Sequence, residues 1–470
     1  MLFLLKKWKS FAALMTAPSL IFLDQTILPV ALPAIQEEFG ATSTQLQWCV
    51  NAYLLAIAIF VLVGGKIGDR LGHRNALSCG IIGFALCSAL CGLSTHVEML
   101  IGARALQGMS SSLIFPAQGA LVAKVFPVGQ RGKAIGMLVS IGSLFLILGP
   151  LIGGYLTETA SWRWIFWINI PVTVVGLLMV LRFLPNCERG PGKIDLFGFL
   201  FFSLGTASLG VYLMQTADWG WTAPRSLLLI GMSLVMFLLL LYRERNTPHP
   251  FLDLSLFRRP VYAAINLSVA TTQFIMMIAV FQTIYFENIL GYSPFLAGLI
   301  LSTAGCPSLF MAPVAGYLSD KYSPKLPIAI GFMMLIFSFF LFGFISLPSL
   351  PIILVSLICF GVGLPFIFTP SYSSAVASVP PQKSGVAMGM IATLRMLGGM
   401  IGLALIHLFT TVVQHRNLPI VGEKEAITAS FSGVHFALAF FLILIFAITF
   451  VLHTRKSSHE LPEAPAEGWD

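Results

Sequence analysis

The sequence predicts an all-α protein that lies in a membrane and crosses it many times. Three observations carry this expectation. Of the 470 residues, 57% are apolar and only 10% are charged, whereas soluble domains run at about 45–50% and about 25%. Apolar runs of about 18–25 residues, the length at which a helix crosses hydrocarbon with its backbone bonded internally, recur along the whole chain. The basic residues then gather in alternate connections between those runs.

The chain begins with Lys6, Lys7 and Lys9, followed by an apolar run from Phe11 to about Pro33. That run is too long for the apolar core of a cleaved signal and reads as an uncleaved first span. The runs 11–33, 47–64, 75–94, 98–122, 134–157, 164–184, 196–216, 226–242, 262–286, 295–316, 327–347, 352–378, 386–412 and 433–453 give fourteen predicted helices. An even number leaves both termini on one side. That side collects 21 of the 27 Lys and Arg residues. The other holds only Arg163, Arg225, Arg416 and Lys424, and Arg104 and Arg395 lie within spans. A missed span would reverse the bias downstream, and it never reverses. The expectation is therefore a multi-pass protein of the cell inner membrane, surrounded by lipid bilayer, with both termini cytoplasmic.

Composition also excludes function classes. The formal charge of +8 is spread through short connections rather than set on one face, so no nucleic-acid partner is expected. Six of the seven cysteines, Cys49, Cys79, Cys87, Cys91, Cys306 and Cys359, fall in apolar runs without paired spacing and read as small packing residues. The eight histidines are scattered and there is no phosphate-cradling Gly-Lys-Ser/Thr loop. No metal, no cofactor and no enzymatic site is expected, and an ion gradient is the remaining energy source.

The polar connection after the second run is Gly65-Lys66-Ile67-Gly68-Asp69-Arg70-Leu71-Gly72-His73-Arg74. A shorter echo, Gly316-Tyr317-Leu318-Ser319-Asp320-Lys321, follows the tenth. One loop type used twice suggests two related six-helix bundles with the seventh and eighth spans inserted between them. The expected division is 1–190, 191–250 and 251–470, with linkers at Asn186 to Asp195 and Arg243 to Pro260.

Further motifs follow helix by helix: Leu23-Asp24-Gln25-Thr26 and Ala31-Leu32-Pro33 in the first span, Arg104-Ala105-Leu106-Gln107-Gly108 in the fourth, and Gly149-Pro150-Leu151-Ile152-Gly153-Gly154 in the fifth. Trp162-Arg163-Trp164-Ile165-Phe166 and Asn169-Ile170-Pro171 come next. Together, in this order, they make the chain resemble the major facilitator superfamily, specifically its fourteen-helix drug:proton antiporter branch. The resemblance implies the major facilitator fold, export of small amphipathic compounds in exchange for protons, and alternating access. It also implies that such a transporter can work with a periplasmic adaptor protein and an outer-membrane channel. The other readings left open are a dedicated exporter of one metabolite (an amino acid, siderophore or lipid-like compound) and a nontransporting scaffold or receptor.

The candidate residues each carry two readings. An unpaired carboxylate such as Asp24 inside a span costs about 2.5–3.5 kcal/mol on insertion scales. It either takes part in proton coupling in a central cavity or accepts hydrogen bonds within the bundle, from Thr26 or a neighbouring helix. Arg104 shares a helix face with Gln107 three residues on; the resemblance implies proton coupling, against a structural Arg bonded to carbonyls. Gly149-Pro150 permits a kink, and Gly153 and Gly154 permit close helix approach; the resemblance makes this the antiporter motif, although Phe145 stands where the family has glycine. Gly65, Asp69, Arg70, Gly72 and Arg74, with Gly316 and Asp320 of the echo, read as a gating loop or as a solvated turn. Asp69 and Arg70 are expected to pair with neighbouring helix ends. Glu287, where the family usually has an uncharged amide, is a proton site, a feature favouring cationic substrates, or an exposed interfacial residue. Arg395, in Leu394-Arg395-Met396-Leu397-Gly398-Gly399, either packs structurally or helps bind anionic groups.

Overall fold

The computed structural model describes residues 2–186, 195–247, 251–252, 254–292, 294–344, 349–379, 384–417 and 422–454. Helices joined by short turns make up these segments. It opens with α1 (Leu2–Phe39), α2 (Ser43–Leu71), α3 (His73–Gly92), α4 (Val97–Val125) and α5 (Arg131–Thr159). The one-turn α6 (Trp164–Trp167) leads into α7 (Asn169–Phe183), and α8 (Leu196–Trp219) and α9 (Pro224–Asn246) follow. The remainder comprises α10 (Pro260–Met276), α11 (Ile278–Asn288), α12 (Pro294–Ser302), α13 (Gly305–Lys321), α14 (Lys325–Gly343), α15 (Leu350–Ala377), α16 (Ser384–Asn417) and α17 (Glu423–Thr454).

Local chemistry explains several of these boundaries. Thr42 and Gln45 form a reciprocal capping box at the start of α2, satisfying two otherwise unpaired backbone donors. Asp195 caps α8 through the Phe197 N–H. Pro224 and Pro260 stand in the first turn of α9 and α10, where a missing N–H costs nothing. Gly72, at φ +89°, ends α2 and starts α3 within one residue, a reversal that needs the left-handed backbone glycine allows.

Apolar side chains point outward as well as inward. Leu86, Leu178, Leu228 and Phe440 are 62–71% exposed, which suits hydrocarbon and not water. Among the described residues, twelve helices are long and apolar enough to cross a membrane, two fewer than the sequence analysis expects. The two others are helical. Val97–Val125 is long enough but too polar by composition, carrying Arg104, Gln107, three consecutive serines and Gln118. The predicted run 262–286 is divided at Met277 into helices of 17 and 11 residues. The expected linker residues 187–194, 248–250 and 253 lie outside the described residues.

One core joins α1, α2, α3, α4, α5 and α7 around Leu14, Tyr53, Phe84, Ile114, Ile135 and Val180. A second joins α10, α11, α14, α15, α16 and α17 around Ile275, Ile278, Phe332, Ile367, Ile406 and Leu438. The sets meet at several crossings: α2 and α4 pack on α16, α5 packs on α15, and α13 packs on α5 beside them. The α8–α9 hairpin lies outside, with α8 resting on both α2 and α16. Burial follows this layout, since 61% of the apolar stretch of α1 is inside the protein against 17% for α9.

Candidate functional site

Asp24 sits in mid-α1, Arg104 and Gln107 lie a turn apart on α4, and Asn169 is the first residue of α7. None of the four is more than 1% exposed. Arg104 Nη1 donates to Asp24 Oδ2 at 2.6 Å and to Gln107 Oε1 at 2.7 Å. Gln107 Nε2 donates to Asp24 Oδ1 at 3.1 Å, and Asn169 Nδ2 stands 3.5 Å from the same oxygen. From α2, the Cys49 carbonyl accepts Arg104 Nε at 3.1 Å, and the Tyr53 ring lies 4.3 Å under the guanidinium. The Tyr53 hydroxyl is 3.0 Å from Ser111 Oγ, while Asn169 also donates to Ser88 Oγ at 3.1 Å. Thr26, a candidate donor to Asp24, instead donates to the carbonyls of Phe22, Leu23 and Phe145.

Among the described residues, every group reaching Asp24 is therefore a donor, and one of them is a cation. Removing one partner of such a pair strands the other charge, at a cost of about 3–5 kcal/mol. Tyr53, Ser88 and Asn169 were not foreseen as members of the cluster. An Asn inside an apolar run carries the same kind of signal as Asp24 and could have been read.

The two polar loops form matched contacts. Asp69, in the last turn of α2, accepts the backbone N–H groups of Gly385 and Val386 at the start of α16, both at 3.1 Å. Asp320, in the last turn of α13, accepts those of Gly132 and Lys133 at the start of α5, at 2.9 and 2.8 Å. Both carboxylates thus cap helix N-termini, where unpaired N–H groups and the helix dipole favour an anion. Glycine makes each approach possible. A Cβ on Gly65 would stand 2.3 Å from the Gly385 carbonyl oxygen, and one on Gly316 would stand 2.1 Å from that of Gly132.

The expectation of ion pairs at helix ends is thus amended. Asp69 binds backbone N–H groups and has His73 Nε2 3.3 Å away. Arg70 is exposed and belongs to no ion pair among the described residues. Arg74 donates to the Asn186 side chain and the Leu181 carbonyl, tying the start of α3 to the end of α7.

The glycine motif of α5 faces α1 one turn beyond Asp24. A Cβ on Gly149 would stand 1.9 Å from Thr26 Oγ1 and one on Gly153 2.7 Å from Ile27 Cγ1, while Gly154 has more room, 3.7 Å from Val30. The side chains of Pro150 and Glu287 lie outside the described residues. Arg395 stands apart from the Asp24 cluster, bonded to Gln273 on α10.

The profile of the Major Facilitator Superfamily matches residues 14–403. The chain belongs to the major facilitator superfamily. As a member it is a multi-pass membrane transporter. It is 30% identical over 441 residues to the tetracenomycin C resistance and export protein of Streptomyces glaucescens, covering 90% of this chain and 81% of that one. It is equally 30% identical over 459 residues to the riboflavin transporter RibZ of Clostridioides difficile, covering 96% and 99%. Among solved structures, the proton:xylose symporter XylE superposes with a TM-score of 0.64 at 15% identity, over 93% of this chain and 95% of that one. That likeness concerns the fold.

Proposed function

We propose that this superfamily member is a secondary active transporter that exports small amphipathic compounds in exchange for protons by alternating access across the inner membrane, with both termini cytoplasmic. The observation that carries the reading is the fully buried Asp24–Arg104–Gln107 cluster. A carboxylate in a span is costly unless it is paired or titrates, and all its contacts here are donors. A proton on Asp24 removes the charge that Arg104 faces and turns one acceptor oxygen into a donor, so the cluster must rearrange.

The rearrangement has a route to the cytoplasmic side. Asp24 is two residues from Thr26, whose hydroxyl bonds the Phe145 carbonyl of α5, and α5 is gripped at its first turn by Asp320. In this reading the Asp69 and Asp320 contacts hold the cytoplasmic end closed, and both release when it opens. Resistance and export relatives such as the tetracenomycin protein favour a drug-like cargo. The riboflavin transporter favours the second reading, a dedicated exporter of one metabolite.

The test is efflux of ethidium, riboflavin and fluorescein from energised cells, with wild type beside Asp24→Asn and with an uncoupler then added. Efflux of more than one compound, abolished by the uncoupler and by the substitution at normal expression, is the expected result. Efflux of a single compound would favour the dedicated exporter. Efflux indifferent to both treatments would sink proton coupling.

A further inference from the structure

Helix α16 crosses α10 closely because it carries glycine at the contact. A Cβ on Gly398 would stand 2.3 Å from the Ala270 carbonyl oxygen, and one on Gly402 2.4 Å from that of Phe274. Between them Gly399 leaves room for Gln273, whose Cγ would lie only 3.1 Å from a Cβ there. This close crossing places Gln273 Oε1 2.7 Å from Arg395 Nε, which donates to it. From α15, the Tyr372 hydroxyl lies 3.4 Å from Nη1 and the Phe368 ring 5.1 Å from the guanidinium carbon.

The guanidinium is thus fixed by an amide, a phenol and a ring, all of them neutral. It is half-buried, and no carboxylate pairs with it among the described residues. Arg104, the other Arg deep in the protein, is already balanced by Asp24. Nη2 of Arg395 has no hydrogen-bond partner among the described residues. The cavity it borders lies between α4 and the α15–α16 pair, is water-sized in this conformation and takes a larger ligand only as these helices move apart, and its other lining residues are Phe115, Tyr372, Met388, Ala392 and Met396. An apolar, partly aromatic wall with one uncompensated cation is complementary to a ligand of the opposite design.

We propose that the compounds exported are amphipathic organic anions, with the acidic group on Arg395 and the flat apolar body against Phe115, Tyr372 and the two methionines. The proposal rests on the export reading and names its substrate class. A carboxylate or sulfonate gains charge-assisted, fork-matched hydrogen bonds from the guanidinium. A lipophilic cation meets like charge in a low-dielectric wall. Gln273 is a positioning residue, holding the fork with its free edge toward the cavity.

The test is binding to the purified full chain in detergent, read by polarisation of fluorescein (anionic at neutral pH) and of ethidium as the cationic comparison. Saturable fluorescein binding is expected. It should weaken at least tenfold in Arg395→Gln, less in Arg395→Lys, and at least tenfold in Gln273→Glu, which sets a carboxylate on the guanidinium while leaving Arg395 in place. Ethidium binding should not weaken in any of them. Gln273→Glu keeps the test open if Arg395→Gln fails to fold, judged by gel filtration. No saturable fluorescein binding to wild type, equal binding in the folded variants, or an equal loss for ethidium would each overturn the proposal. Because binding is read without a proton gradient, its failure leaves proton-driven export standing, and failure of the efflux test leaves the anion site standing.

Discussion

Asp69 and Asp320 make the same contact at two places 251 positions apart in the chain: each carboxylate, in the last turn of one helix, accepts two successive backbone N–H groups at the first turn of another. Each lies beside a glycine pair, Gly65 with Gly385 and Gly316 with Gly132, in which either Cβ would strike the other's carbonyl. The α2–α16 and α5–α13 crossings are therefore closed by one device used twice.

If both devices close one end of the transporter, weakening one should loosen the other through the shared open state. Hydrogen bonds to a charged group contribute about 1.5–3 kcal/mol each, and partial exposure lowers that figure, so Asp69→Ala should shift the balance by roughly tenfold, or about 1.4 kcal/mol. Hydrogen exchange should then quicken at Gly385 and Val386, and also at Gly132 and Lys133. Unchanged exchange at the second pair would mean that the two contacts open separately.

Gly149 and Thr26 set the distance between α5 and α1. With Thr26 Oγ1 at 1.9 Å from the added Cβ, Gly149→Ala should destabilise the protein by about 1–3 kcal/mol, the usual range for overpacking. Thr26→Ala in the same chain removes that oxygen but leaves the Thr Cβ position at 2.8 Å, so unfolding temperature should recover in part. A double variant no more stable than Gly149→Ala would place the clash elsewhere.

The buried pair on α1 and α4 should behave as one unit. Arg104→Gln leaves Asp24 without its cation and should cost about 3–5 kcal/mol. Adding Asp24→Asn removes the stranded charge, so the double substitution should cost less than the sum of the two single ones by about 1–3 kcal/mol. Unfolding in mixed micelles measures all three, and additive costs would show that the 2.6 Å contact contributes no coupling.

What could be read from sequence were the exceptions to its own pattern. Asp24 and Arg104 are charges inside apolar runs, and Gly65 to Arg74 is a polar knot between two of them, so each stands out against a 10% charged background. Their partners were harder to see. Asp69 and Asp320 bind backbone N–H groups, which every residue but proline has, so no residue type marks the receiving end. Asn169 was visible as part of a motif, but only folding shows that it reaches both Ser88 and Asp24. The break at Met277 falls in a run with neither Pro nor Gly nearby to announce it. The charge on Arg395 required knowing that Gln273, and no acid among the described residues, stands beside it.

The α8–α9 hairpin offers a pH test outside the spans. Asp195, capping α8, accepts two hydrogen bonds from Arg243 Nε and one from Nη2, and those bonds, aided by the backbone N–H groups of Gly198 and Phe197 and by the Arg243 charge, outweigh the opposing effect of burial and hold its carboxyl below the ordinary range. A carboxylate with a lowered folded pKa adds stability that is present above its unfolded value, about 3.9, and is lost as pH falls through the lower, folded value. Wild type should therefore exceed Asp195→Asn in unfolding temperature by a constant margin from pH 7 down to about pH 5. Below about pH 4 that margin should shrink as Asp195 takes up its proton and comes to resemble the amide. No margin at pH 7 would show that the cap geometry, which Asn also supplies, and not the charge, holds the hairpin.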